Sequence, residues 1–231
     1  MHLRIGILGG LTPESTVTYY QHIVRRYQAE HGDHSFPEIV IYSVSFQQYE
    51  DWMEADRWGE IAVGLTAALD ALAAAGADFA VIATNTMHLL FDQLAARSPI
   101  PLISIVDATA AAVREAGLHT VALLGTRFTM EKGFYADGLA RHGIRTIVPE
   151  AGERRLIHRV IMEELARGDL RDQSRRAYLD IIDRLVQQGA EGAVLGCTEI
   201  PLLVRPEHTS VPLFDTATIH AEAALRRAVT A

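Results

Sequence analysis

A single cysteine, Cys197, stands in the 231 residues. No internal disulfide can form, so nothing calls for an oxidising compartment and a cytoplasmic location is expected. Long apolar runs are missing too: stretches such as Ala71–Ala75 and Val121–Leu124 fall well short of the roughly 20 residues that span a bilayer. The opening residues Met1–Ile5 run straight into a strand pattern without a charged leader, so neither export nor a membrane partner is expected. A basic cluster is also absent. The 21 basic residues are scattered among 29 acidic ones, for a net charge of −8, and phosphate binding needs a concentrated cationic stripe, which excludes nucleic acid as a partner. Low-complexity tracts and long Pro/Gly/Ser linkers are lacking, so any two lobes must be joined by short, ordered crossings.

What is present is material for a core. Hydrophobic residues make up 49% of the chain, and at roughly 100–200 residues per domain the length allows one large domain or two small ones. Ile5–Gly9 is a short apolar run closed by glycines and followed by a helical segment from Ser15 to Gln28. The same order then recurs. Strands are expected at Glu38–Val44, Phe79–Ala83 and Pro101–Ile105, with helices at Arg57–Ala75, Met87–Arg97 and Ala108–Glu115. A second series begins with a strand at Val121–Gly125 and a helix at Thr129–His142. It continues through a strand at Thr146–Val148, helices at Arg154–Arg167 and Gln173–Gln188, strands at Ala193–Gly196 and Pro212–Phe214, and a last helix to Ala228. Apolar runs alternating with helices imply parallel sheets covered on both faces.

The two series match each other. Gly76-Ala77-Asp78-Phe79-Ala80-Val81-Ile82-Ala83-Thr84 parallels Gly189-Ala190-Glu191-Gly192-Ala193-Val194-Leu195-Gly196-Cys197, and Ile5–Gly9 is answered by Val121–Gly125. The expected fold is therefore α/β with two pseudo-symmetric lobes, each a parallel sheet flanked by helices, and an active site in the cleft between them. The first lobe is expected to span 1–106, with 212–231 returning to it, and the second to span 118–208.

Ligands of parallel sheets bind beyond the carboxyl ends of the strands. Those ends carry Gly9–Thr12, Thr84-Asn85-Thr86, Gly125-Thr126 and Cys197-Thr198-Glu199. If the lobes face one another, Thr84 and Cys197 flank one substrate. Inverting a carbon centre requires removing a proton from one face and supplying one to the other, which two opposed acid/base groups accomplish. A thiol is suited to this, and backbone N–H groups after a strand end are expected to favour its thiolate. They could equally hold a substrate carboxylate.

Three stretches, Gly9-Gly10-Leu11-Thr12-Pro13-Glu14-Ser15-Thr16, Thr84-Asn85-Thr86-Met87-His88 and Gly196-Cys197-Thr198-Glu199-Ile200, resemble the aspartate/glutamate racemase superfamily of cofactor-independent racemases, and the likeness covers essentially the whole chain. It implies two facing lobes, neither metal nor pyridoxal cofactor, one catalytic residue from each lobe, a small amino acid or carboxylic acid substrate, and a homodimer. Family members usually carry cysteine at both catalytic positions. Here the first is Thr84, a pairing that resembles the subset associated with L-aspartate and L-glutamate. By that resemblance Cys197 takes the α-proton of an L-amino acid, and Thr84, or a water it holds, returns a proton on the other face.

The same likeness gives Asn85, Thr86 and Thr198 the α-carboxylate, and Thr12, Thr126 and Thr129 lie at strand ends toward the same cleft. An acidic substrate needs a cation for its distal carboxylate. Arg154 and Arg155 stand where aspartate racemases place a basic residue, and Arg155 is the candidate. The loop Ser45–Glu50 carries no arginine, although typical aspartate racemases have one there, and Gln47 is its candidate contact. Glu199 is a further substrate-binding candidate that can orient Cys197 or a water, or else serve as a solvated or capping carboxylate. His88 and His220 have no second ligand at metal spacing, so a helix-face or supporting role is expected. Gly9-Gly10 lacks the rest of a dinucleotide fingerprint. Two other functions fit one cysteine: a decarboxylase or isomerase of a small dicarboxylate, and a non-catalytic amino-acid-binding protein.

Overall fold

The computed structural model describes residues 2–230. Met1 and Ala231, the outer ends of the spans expected above, lie outside the described residues. The chain divides into two units, one of residues 1–105 and 220–231, the other of residues 106–219.

The first unit holds strands β1 (Ile5–Gly9), β2 (Ile39–Ser43), β3 (Phe79–Ile82) and β4 (Leu102–Ile103), and helices α1 (Pro13–His31), α2 (Phe46–Glu54), α3 (Trp58–Ala74) and α4 (Phe91–Ala95). Its sheet is parallel throughout, in the order β2-β1-β3-β4. Every residue of β1 and β3 is buried. Successive side chains of a strand point to opposite faces, so full burial means that both faces are covered. Helix α1 starts at Thr12, whose hydroxyl accepts from the Ser15 N–H, and Pro13 follows at the first position, where no N–H is needed. Gly32 ends it in the left-handed conformation.

Helix α5 (Ile105–Glu115) carries the chain out of the first unit. The second unit repeats the plan with β5 (Thr120–Gly125), α6 (Arg127–Glu131), α7 (Phe134–Arg141), β6 (Arg145–Ile147), α8 (Ala151–Glu163), α9 (Asp172–Gln187), β7 (Gly192–Gly196), α10 (Ile200–Leu203) and β8 (Leu213–Asp215). Its order, β6-β5-β7-β8, is the same permutation of a parallel sheet. Ile157, Val160, Ile161, Tyr178, Ile182, Leu185 and Leu195 form part of its core. The last helix, α11 (Thr216–Val229), begins in the second unit and re-enters the first at His220.

Several expected boundaries move. Residues 212–219 do not return to the first lobe: β8 pairs with β7, and only the part of α11 from His220 onward goes back. The stretch after β2 is helix α2 rather than a loop. The helix expected from Met87 to Arg97 is a 3-10 segment, Thr86–Leu90, followed by α4. The helix expected from Thr129 to His142 breaks at Gly133, whose φ of 78° lies in the left-handed region. Helix α8 starts at Ala151, earlier than expected, because Glu150 and Glu153 form a reciprocal capping box. It stops at Glu163, ahead of a 3-10 turn at Leu165–Arg167 and Gly168 at φ 74°.

Candidate active site

In each unit the strand order reverses beside the first strand, and the crevice at such a reversal is where parallel sheets receive ligands. The first unit brings Gly9–Thr12 and Thr84-Asn85-Thr86 to that place, at the ends of β1 and β3. The second brings Gly125-Thr126 and Cys197-Thr198-Glu199, at the ends of β5 and β7.

In the first unit the two loops are tied together. The hydroxyl of Ser15, on the first turn of α1, donates to the Ala83 carbonyl at 2.6 Å. Thr16 accepts from the Gly10 N–H at 2.8 Å and donates to the Thr12 carbonyl at 3.1 Å. Gly10 has φ 85°, and a Cβ there would press into the Val44 backbone. Thr84 is buried, as are Asn85 and Thr86. Its N–H donates to the Ile82 carbonyl at 2.8 Å, a tight reversal that ends the strand. Its carbonyl accepts from Nδ1 of His88 at 2.8 Å.

In the second unit Thr126 caps α6 by accepting from the Thr129 N–H. Thr129 is buried, and its side chain fills the space where a Cβ on Gly125 or Gly196 would go. It therefore serves as packing beneath the strand ends as well as standing near the predicted site. Cys197 is half-buried and packs against the unit's core. Its Sγ–H donates to Oε2 of Glu199 at 2.9 Å, and the Thr198 hydroxyl donates to the same oxygen at 2.9 Å. Glu199 is only 3% exposed.

This carboxylate changes the electrostatics expected of the thiol. Burial first, then the negative charge of Glu199 and the hydrogen bond to it, push the Cys197 pKa well above the ordinary thiol value. The N–H groups of Glu199 and Thr198 do oppose that shift, as anticipated, but they are outweighed. The expectation of a resting thiolate is therefore corrected: the sulfur holds its proton and presents it to Glu199. Tyr178 lies near enough that the cysteine's charge helps raise its own pKa, after burial, and its hydroxyl donates to the Ile157 carbonyl at 2.9 Å.

The other predicted contacts stand on helices of their units. Gln47 is exposed on α2 and donates to Asp51 at 2.9 Å and Glu50 at 3.3 Å. Arg155 is exposed on α8. Arg154 is engaged by Glu131 and the Pro149 carbonyl, both at 2.8 Å. A surface depression of about 340 Å³ on the second unit is walled by residues including Arg159, Glu163, Glu164 and Arg171; since none of the predicted site residues lines it, it is not the place where they act. Among the described residues no group of three or more His, Cys, Asp or Glu could hold a metal ion, and no helix is long and apolar enough to cross a membrane.

Ser15, Thr16 and Thr216 gained no role from sequence reasoning. The Thr216 hydroxyl donates to the Leu195 carbonyl at 2.9 Å beneath the end of β7. Ser15 and Thr16 lie inside the quoted motif Gly9–Thr16, so the signal was there, but a hydroxyl aimed at a carbonyl 68 positions away is set by tertiary packing.

Comparison with known proteins places this geometry in context. The model of the family described as Asp/Glu/Hydantoin racemase matches residues 8–224. A crystal structure from Yersinia pestis, provisionally assigned as an Asp/Glu racemase, superposes with a TM-score of 0.92 at 41% identity, covering 99% of this chain and all of the other. An aspartate racemase homologue from Pyrococcus horikoshii gives a TM-score of 0.86 at 36% identity, with 97% and 98% coverage. The broad-specificity amino-acid racemase of Bacillus subtilis is 21% identical over 217 residues, which is 92% of each chain.

Proposed function

The chain belongs to the Asp/Glu/Hydantoin racemase family, and from that premise we propose that it racemises a small amino acid, with L-aspartate and L-glutamate the first candidates, by proton transfer at the α-carbon. Cys197 is the acid/base of one face and Thr84 marks the other. The observation that carries this reading is the Cys197–Glu199 bond at the end of β7. A buried carboxylate 2.9 Å from the sulfur can take the thiol proton, freeing a thiolate to remove the α-hydrogen of an L-substrate. A proton is then delivered to the opposite face of the carbanion from the Thr84 side, through the hydroxyl or a water it holds; Cys197 is left with the α-hydrogen, and solvent resets the site by taking the extra proton from Glu199 and replacing the one given up on the Thr84 side. Asn85, Thr86 and Thr198 bind the α-carboxylate in this reading. Thr12 and Thr126, the caps of α1 and α6, and Thr129 are the further substrate contacts in this reading, with Arg155 or Gln47 for the distal carboxylate. No cofactor is required. The substrate is a small amino acid in the cytoplasm, and the working form is a homodimer, supported by the exposed Val17 and Tyr20 on α1 and Ile41 and Tyr42 on the edge strand β2.

The test is isotope wash-in. In deuterated buffer, a panel of L- and D-amino acids is followed for α-hydrogen exchange with the native protein and with Cys197→Ser. L-substrate exchanging much faster than D-substrate, with exchange lost in the variant, is expected; equal rates for the two enantiomers, or a fully active variant, would overturn the reading.

The Cys197 thiol, resting as a donor to Glu199, fits a second reading, because a sulfur that carries its proton can deliver it to a strongly basic carbanion. A decarboxylase needs only that: loss of carbon dioxide leaves a carbanion, which the thiol protonates. Carbon dioxide release from substituted malonates, with no exchange of amino acids, would establish it instead.

A further inference from the structure

Thr84 is held by its backbone, and the holder is a histidine whose ionisation state and tautomer are fixed by its partners. His88 is 4% exposed. Its Nε2 accepts from the Ile105 N–H at 3.0 Å. Backbone N–H groups only donate and carbonyls only accept, so Nε2 is bare and Nδ1 carries the hydrogen it gives to the Thr84 carbonyl at 2.8 Å. The neighbouring ring repeats the logic in the other tautomer. His220, fully buried, has Nε2 2.9 Å from the Ile103 carbonyl and Nδ1 2.7 Å from the Tyr19 hydroxyl. The two rings meet edge to face at 5.6 Å.

The consequence for Thr84 is specific. Its N–H is committed to Ile82 and its carbonyl to His88, while the preceding carbonyl, of Ala83, is taken by Ser15. With the peptides on both sides fixed, the side chain of Thr84 keeps only rotation about χ1, which is narrow for a β-branched residue. The second unit does this differently. Counting from Cys197 as the counterpart of Thr84, the counterpart of His88 is Pro201, which brings no such donor, and the Cys197 carbonyl accepts from the Ile200 N–H at 3.2 Å. There the side chain itself is gripped, by Glu199, which occupies the counterpart position of Thr86.

We propose that His88 is a positioning residue for proton transfer on the Thr84 side, acting through the Nδ1–H bond that fixes the Thr84 carbonyl. The proposal rests on the reading of Thr84 as the group that marks the second face of the α-carbon. His88 touches no substrate; it sets the angle from which the Thr84 hydroxyl, or the water it holds, meets the carbon. Misplacing such a group by about 1 Å costs on the order of a hundredfold in rate.

Two variants separate its bonds. Asn places an amide N–H near the position of Nδ1, so His88→Asn can keep the bond to Thr84 while giving up Ile105. Gln reaches toward the position of Nε2, so His88→Gln does the reverse. The readout is α-hydrogen exchange of each enantiomer in deuterated buffer, with KM and kcat measured separately. His88→Gln is expected to lose roughly ten- to a hundredfold in kcat for exchange of the D-substrate, with KM and L-substrate exchange near native. His88→Asn is expected to keep the native L-to-D ratio even if it melts earlier. Equal losses for both enantiomers, or identical behaviour of the two variants, would show a purely structural histidine. Nitrogen-15 spectra of histidine-labelled native protein supply a readout independent of activity: His88 protonated at Nδ1 alone is required, and a ring protonated at Nε2 overturns the proposal. A native protein with that tautomer but without exchange of any amino acid would refute the racemase reading and not the pinned carbonyl.

Discussion

The Sγ–H of Cys197 points at Oε2 of Glu199 across 2.9 Å, so the one thiol of the chain rests as a donor to a buried carboxylate. Replacing that carboxylate by an amide removes a negative charge that favours the protonated sulfur, second in weight only to burial. Glu199→Gln should therefore lower the thiol pKa. The rate of alkylation by iodoacetamide against pH reports it directly, because the thiolate is the nucleophile. The inflection is expected to move to lower pH in the variant; an unchanged or higher inflection contradicts the assignment. The sign for stability follows. A thiol pKa raised on folding favours the native state below the ordinary value of about 8.5, and that advantage is lost as pH rises through the raised value.

His220 provides the opposite case. Full burial, and then the neighbouring His88, lower its pKa from 6.5 to about 3, against a smaller opposing contribution from the Ile103 carbonyl. An unfolded chain takes up this proton below about pH 6.5, whereas the folded chain refuses it until about pH 3. Stability from this ring is thus complete above 6.5 and falls as the solution is acidified, by up to about 1.4 kcal/mol per pH unit. Urea melts of the native protein and His220→Asn at stepped pH values measure the difference. The variant should be less stable at pH 7 and show a shallower loss between pH 6 and 4; parallel curves would mean that another group dominates.

Much of this was legible beforehand, because the repeat aligned Thr84 with Cys197 and matched β1 with β5, and both sheets do share one strand order. Apolar runs bounded by glycine are strong signals when both faces of a strand are buried, as in β1, β3 and β7. Helix α2 escaped because its buried anchors, Tyr49 and Met53, are only two. The state of Cys197 escaped for a different reason. Nearby N–H groups are visible in a local sequence, whereas the burial of Glu199 beside the sulfur depends on how the whole unit packs. His88 and His220 were each read singly, as helix-face or supporting residues, because their pairing spans 132 positions of chain.

Gly10 has no acceptable substitute where β1 meets the first site loop. Its φ of 85° is left-handed, and a Cβ would intrude on the Val44 backbone. Gly32 has a similar φ of 70° with nothing within 4 Å. The pair therefore separates conformational strain from collision. Gly32→Ala should cost only the strain, about 1 kcal/mol. Gly10→Ala should cost about 2–3 kcal/mol or more, lowering the melting temperature by roughly 4–12 °C for a chain of this size. Calorimetry that finds the two variants equal would show that Val44 yields freely.

Thr84 is where the proposed reaction departs most from a pair of thiols, and restoring a thiol there is its most direct trial. A threonine hydroxyl holds its proton far more tightly than a thiol, so it cannot supply a ready base at neutral pH, while the backbone that carries it is fixed by Ile82 and His88. Cysteine replaces the hydroxyl with a thiol and drops the γ-methyl group, a change the buried turn should accept. Thr84→Cys is therefore expected to raise α-hydrogen exchange of the D-substrate by at least tenfold, on the scale of a positioned acid/base group worth about 10²–10⁴. Exchange of the L-substrate, which the proposed reaction assigns to Cys197, should stay within severalfold of native. The ratio of the two rates is the measured quantity, and it should move toward one. Should D-exchange stay at the native level in a folded variant that alkylates at both cysteines, position 84 does not face the α-carbon, and the second proton comes from elsewhere.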